Sequence, residues 1–219
     1  MKREGTLCIL AGHGVYDPAT DCFYGEHPED RPIYQAQLFY ALQHLTWRAS
    51  ANILLVISGG LTKIERRCSE SRSYVEWVQA LGWRLPGNVA LEEHALTTVE
   101  NVLLSIYTYH RIRRVYPERL EIVSWRFKEA RMAATLKALN NWELLGERWP
   151  SLDLFPVGDL TGTDKRRAEQ IEAEYCAALD HGLSAYYENP AVRELIRKRD
   201  VFGCRDMARE AYAGYPLPF

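Results

Sequence analysis

Five short, almost unbroken apolar runs punctuate this chain, and each ends in glycine, serine or charge. Thr6-Leu7-Cys8-Ile9-Leu10-Ala11 runs into Gly12-His13-Gly14, and Ile53-Leu54-Leu55-Val56-Ile57 into Ser58-Gly59-Gly60. Val89-Ala90-Leu91 runs into Glu92-Glu93, and Leu120-Glu121-Ile122-Val123 into Ser124-Trp125. A weaker fifth run, Leu152-Asp153-Leu154-Phe155-Pro156-Val157, ends in Gly158-Asp159. Runs that lack polar alternation fit strands buried on both faces, which is the condition of a parallel sheet.

Segments of helical period separate these runs. Tyr34, Leu38, Ala41, Leu42 and Leu45 mark one face of a helix around residues 33–47. Tyr74, Val75, Val78 and Leu81 mark a second, closed by Gly82 at a C-cap position. Thr97-Thr98-Val99-Glu100 has capping-box spacing and opens a third. Ala130, Ala133, Ala134, Leu136 and Leu139 mark a fourth, and Ala168, Ile171, Tyr175, Ala178 and Leu179 a long helix near the end. The tail predicts a helix over 190–199 and then an irregular Tyr/Pro-rich end. Strand alternating with helix predicts a Rossmann-like, three-layer α/β/α sandwich on a mainly parallel sheet of about five strands. With 219 residues, no internal repeat and no linker, it reads as one domain, with a helical extension from about 163.

Composition narrows the function. A hydrophobic share of 47% and a charged share of 26% are those of a globular protein, and a net charge of −2 gives no general reason to bind nucleic acid. Three basic groups, Arg111-Arg113-Arg114, Lys165-Arg166-Arg167 and Arg197-Lys198-Arg199, read as solvated helix faces. The five cysteines include no C-x-x-C pair, so neither a zinc framework nor a disulfide scaffold is expected. With no signal-like segment and no apolar run of roughly 20 residues, the expectation is a cytoplasmic protein without a membrane anchor.

In an open parallel sheet ligands bind beyond the carboxyl ends of the strands. That rule selects Gly12, His13, Gly14 and Asp17 after the first strand, and Ser58, Gly59, Gly60, Thr62, Ser69 and Glu70 after the second. It selects Glu92, Glu93, Thr97, Thr98, Glu100 and Asn101 after the third. Ser124, Trp125, Lys128 and Arg131 follow the fourth, and Asp159 and Thr161 the fifth. The chemistry implied is recognition of a small anion. Ser58-Gly59-Gly60-Leu61-Thr62 wraps a phosphate or carboxylate, or else is only a tight turn. Lys128 and Arg131, three apart on one helix face, neutralise the same anion. Proton-handling candidates are His13, Glu70 and Glu100, and Asn101 orients the ligand. Gly12-His13-Gly14 alone is too short for a dinucleotide fingerprint. Neither a metal site nor an oligomeric state is readable.

In order and spacing, Leu10-Ala11-Gly12, Ile57-Ser58-Gly59-Gly60, Ser69-Glu70, Glu92-Glu93 and Thr98-x-Glu100-Asn101 resemble the YdcF-like domain family, which includes SanA- and ElyC-like envelope proteins. The fourth-strand segment Val123-Ser124-Trp125-Arg126-Phe127-Lys128-Glu129-Ala130-Arg131 is similar to that family's motif, with Lys128 where His is usual. This version looks like a branch associated with fungal members. The resemblance spans about residues 6 to 160. It implies a single Rossmann-like domain with its site along this edge, and S-adenosylmethionine or a nucleotide as ligand. Two other readings stand beside an enzyme of group transfer or phosphate-ester chemistry. One is a non-catalytic S-adenosylmethionine or nucleotide sensor. The other is an interaction protein using Tyr186, Tyr187, Tyr212, Tyr215 and Phe219.

Overall fold

The computed structural model describes residues 4–24, 28–47, 52–63, 65–142, 150–159 and 164–219. The five apolar runs form one parallel sheet: β1 (Thr6–Ala11), β4 (Ile53–Ser58), β5 (Val89–Glu92), β6 (Arg119–Ser124) and β7 (Ser151–Pro156), in the order β5-β4-β1-β6-β7. Central β1 pairs with β4 on one side, Leu10 opposite Ile57, and with β6 on the other, Leu10 opposite Val123. Two residues each of β2 (Tyr16–Asp17) and β3 (Cys22–Phe23) make a small antiparallel hairpin, which the sequence reading did not anticipate.

Alternate side chains of each strand enter separate cores, which explains why the runs carry no polar face. Cys8, Leu10, Leu55, Ile57 and Val123 pack with α1 (Arg31–Trp47) and α2 (Glu70–Ala80) around Tyr34, Tyr74, Trp77 and Trp125. Leu7, Ile9, Leu54, Val56, Leu120 and Ile122 pack on the opposite face with α3 (Thr98–Arg113) and α4 (Glu129–Asn141). Those are the three layers. The α3/α4 face is then covered by α5 (Asp164–Asp180), α6 (Leu183–Glu188), α7 (Pro190–Arg199) and α8 (Cys204–Ala211).

Helix ends follow local chemistry. Gly82 takes φ 77 after α2 and its N–H donates to the Gln79 carbonyl, as a left-handed C-cap requires. The capping box of α3 is complete: Thr97 Oγ1 accepts from Glu100 N at 3.3 Å, and Glu100 Oε2 from Thr97 N at 3.2 Å. Two readings of the C-terminal region need correction. The tail is not irregular directly after α7, because Cys204 and Ala208 bury one stripe of α8, continued by Tyr212 at its C-cap, before the chain turns irregular. In α5 the expected stripe is buried at Tyr175, Ala178 and Leu179, but Ile171 is 38% exposed and Glu172 beside it, only 7% exposed, takes its inward place.

Candidate functional site

From β1 the chain passes to β4 on one side, and β6 lies on the other, so the topological switch point falls between β1 and β6. A crevice opens there in sheets of this kind. Gly12-His13-Gly14 leaves β1 at this point. From β6 the chain continues through Ser124 and Trp125 into a single 3-10 turn, Arg126–Lys128, that leads into α4. The two ends meet: Lys128 Nζ lies 2.5 Å from His13 Nδ1. Lys128 is 6% exposed. Burial, and next the Arg131 guanidinium, lower its ammonium from an ordinary 10.5 to about 7. Burial, followed by the Lys128 charge, holds the His13 imidazole well below its usual range, so the ring is neutral and accepts from the ammonium. Aromatic rings fix its position, with Trp125 edge-on at 5.4 Å, Phe127 at 6.0 Å and Tyr34 stacked at 6.4 Å.

Positive charge gathers around this pair. Arg131, buried one turn along, places Nε 2.9 Å from Glu172 Oε2 on α5 and lays its guanidinium over the Tyr175 ring at 5.1 Å. Arg199, from α7, donates Nη1 to the Leu96 carbonyl at 2.9 Å. The fields of Arg199, Arg131 and Lys63 all reach His13, and those of Glu172 and Glu70 reach Lys128. Burial raises the Glu172 carboxyl against the pull of Arg131. Lys128 and Arg131 are buried here and Arg199 and Lys63 half-buried, against the carboxylates of Glu172 and Glu70, and electrostatic recognition of an anion is stronger in such a partly desolvated setting than in water.

The glycines serve a different purpose from the one expected. The Gly12 N–H donates to the Ser58 carbonyl at 2.7 Å, Gly59 N–H to the Glu92 carbonyl at 3.0 Å and Gly60 N–H to the Ala95 carbonyl at 2.8 Å. Their amides are committed within the fold, which corrects the picture of a Ser58–Thr62 loop wrapping a phosphate with these groups. What they provide is close approach. A Cβ on Gly59 would stand 2.8 Å from Glu70 Cβ and Oε2, and one on Gly12 would stand 3.1 Å from both. Glu70 is therefore wedged between two strand ends, with Thr62 Oγ1 donating to its Oε1 at 2.6 Å. Gly60 likewise admits the backbone of His94 and Ala95. Gly14 is buried in the loop after β1.

The remaining candidates fall into two groups. Buried Ser58 links two of them, its Oγ 2.7 Å from Glu92 Oε2 and 2.8 Å from Asn101 Oδ1. The Glu92 carboxyl also accepts from His94 N at 2.7 Å and Ala95 N at 3.3 Å, yet burial pushes it up to about 7. Glu93 points the other way and is held by Arg72 in a bidentate pair and by Ser69, which keep its carboxyl below the usual range. Glu100 does not join the Lys128 cluster. Its oxygens take the Leu96 and Thr97 amides, Arg205 at 3.1 Å and the Tyr187 hydroxyl at 3.4 Å, so it caps α3 and anchors the C-terminal region. Thr98 is buried at the start of α3. Trp125 is fully buried in the α1/α2 core, and among the described residues the buried Ser124 Oγ has no hydrogen-bond partner. Asp17 accepts from Ala19 N and Thr20 Oγ1 in the hairpin turn, and Asp159 pairs with Lys165. Thr161 lies outside the described residues.

Sequence reasoning missed Arg199, Glu172 and Lys63. In sequence Arg199 reads as one group with Arg197 and Lys198, which do face solvent and pair with Glu194. The available signal was Glu172, a carboxylate three and seven residues before Tyr175 and Leu179 on an otherwise apolar stripe. Among the described residues no group of three or more His, Cys, Asp or Glu is arranged to hold a metal ion, and no helix is long and apolar enough to cross a membrane. No family model, curated protein or solved structure matches the chain.

Proposed function

We propose that this chain is a small-molecule enzyme of the YdcF-like type, acting on a phosphate-bearing, nucleotide-like anion by group transfer or phosphate-ester chemistry. The observation that carries the reading is the His13–Lys128 pair, set among Arg131, Arg199 and Lys63 at the switch point of the sheet. Arg131 and Arg199 hold the anion as fixed cations. Lys128, balanced between charged and neutral near pH 7, donates one N–H to the oxygen on which negative charge develops, while neutral His13 accepts another N–H and fixes the amine in place. Ser58 and Asn101 orient the uncharged part of the ligand from the β4 side. Excess positive charge favours a phosphate ligand over S-adenosylmethionine, whose sulfonium would face like charges.

Thermal-shift measurements with inorganic phosphate, nucleotides, sugar phosphates and S-adenosylmethionine, run beside product assays, test the proposal. A phosphate-bearing compound should stabilise the chain and be converted. Replacing Lys128 or Asn101 by Ala should reduce turnover far more than stability. Stabilisation without any product would favour the non-catalytic sensor, and equal loss of melting temperature and turnover would sink the catalytic reading. An interaction role for the aromatic tail has less support, since Tyr186 and Tyr212 are buried and the Tyr107 hydroxyl donates to the Pro216 carbonyl.

A further inference from the structure

We infer that Lys128 is a nucleophilic amine that forms an imine with a small aldehyde or ketone carrying a phosphate or carboxylate. The inference rests on the anion site proposed above and names the part of the substrate that reacts.

The arrangement contains more than anion binding needs. Arg131 stands one turn from Lys128, is always charged, and is held in place by Glu172 and Tyr175. A second cation held for its charge alone would be better placed as another guanidinium, or in contact with water. Lys128 is instead enclosed, with its Nζ against a neutral imidazole and 5.6 Å from the Phe127 ring centre. Desolvation beside another cation is the environment that frees an amine's lone pair at neutral pH. The same environment lowers the Lys128 ammonium to about 7. His13 supplies the second requirement of imine formation, a proton acceptor touching the amine and fixed by aromatic rings.

The step balances without an external reagent. The Nζ lone pair attacks the carbonyl carbon, forming the N–C bond, and the carbonyl π pair moves to oxygen. His13 takes a proton from the attacking nitrogen and passes it to that oxygen. The nitrogen's second proton passes through His13 to the hydroxyl, which leaves as water as the nitrogen lone pair forms C=N. Nothing is oxidised or reduced. Arg131 and Arg199 hold the substrate's anionic group, so an aldehyde lacking one should react poorly.

Reductive trapping on the full chain tests this. The protein is incubated at about pH 7.5 with glyoxylate, pyridoxal 5′-phosphate or uncharged acetaldehyde, each with cyanoborohydride, and adducts are located by peptide mass spectrometry. Exposed Lys137, Lys165 and Lys198 serve as internal controls. The expected result is that the anionic aldehydes label Lys128 about tenfold faster than the controls, a difference of about 1.4 kcal/mol in barrier. Inorganic phosphate should slow this labelling, and acetaldehyde should show no such preference. Lys128→Arg, checked for folding by circular dichroism, should lose the fast-labelled site and leave the controls unchanged. Labelling confined to the three exposed lysines, while phosphate still raises the melting temperature, would overturn the imine and leave the anion site standing. Lack of both selective labelling and phosphate stabilisation would remove the two readings together. Equal labelling of Lys128 by acetaldehyde and glyoxylate would overturn the assigned substrate class.

Discussion

Lys128 and Arg131 share a helix face and a desolvated neighbourhood, yet burial affects them differently, because only the ammonium can give up its proton. Lys128 in the fold titrates at about 7, against 10.5 when unfolded. Between those values the unfolded chain binds a proton that the folded chain does not, so stability rises with pH across that window and the full penalty applies below it. Lys128→Met should therefore be more stable than the parent at about pH 6, with the gap closing toward pH 10; urea denaturation at the two pH values measures it. Glu92 has the opposite sign. Its folded value of about 7 exceeds the ordinary 4.5, so the fold holds the proton and stability falls as pH rises from 4.5 to 7. Glu92→Gln should gain on the parent over that interval in the same assay. At Gly59 the quantity is volume. A methyl group meeting Glu70 at 2.8 Å should cost about 1–3 kcal/mol in chemical denaturation.

The start of α3 joins several of these parts. Thr97 and Glu100 close the capping box, Asn101 in the same turn meets Ser58, and Arg205 from α8 neutralises Glu100. Thr97→Ala should cost about 1 kcal/mol through the lost cap. Arg205→Ala should cost more, about 3 kcal/mol, because it leaves the buried Glu100 carboxylate without its cation. Thermal melts of the two variants, compared side by side, test this order. Most elements were readable from sequence because burial on both faces writes long apolar runs, and one-sided burial writes a 3.6-residue period. The β2–β3 hairpin, α6 and α8 were not readable. Two-residue strands and helices of six and eight residues are too short for a period to emerge, and distant contacts such as Tyr16 N to Ser73 Oγ hold such pieces in place. The same reason hid Arg199, whose sequence neighbours face solvent while its own guanidinium reaches Leu96, 103 positions away.

For the molecule as a whole, the sheet's two faces are covered unequally. One carries α1 and α2; the other carries α3 and α4 and over them α5 to α8, whose Tyr175, Leu179, Tyr186, Val192, Ile196 and Tyr212 share a core with the strands. A chain stopped at residue 159 should leave that surface open to water, and should lose near-ultraviolet circular dichroism and monodispersity in size-exclusion chromatography. The sheet-edge location of the candidate site was legible in sequence, since the polar ends of successive runs mark it. Which polar groups converge was not, because convergence depends on strand order. Placing β6 beside β1 brings His13 to Lys128 across 115 residues.

That pairing spans the polypeptide in time as well as in space. A ribosome makes His13 first, then Lys128 and only later Arg199, so a growing chain carries the lysine before its electrostatic surroundings exist. Reactivity of the kind inferred for Lys128 would therefore switch on only once α5 and α7 have been made and have docked, and a chain cut short before them would expose an ordinary, protonated surface amine to the cell's aldehydes.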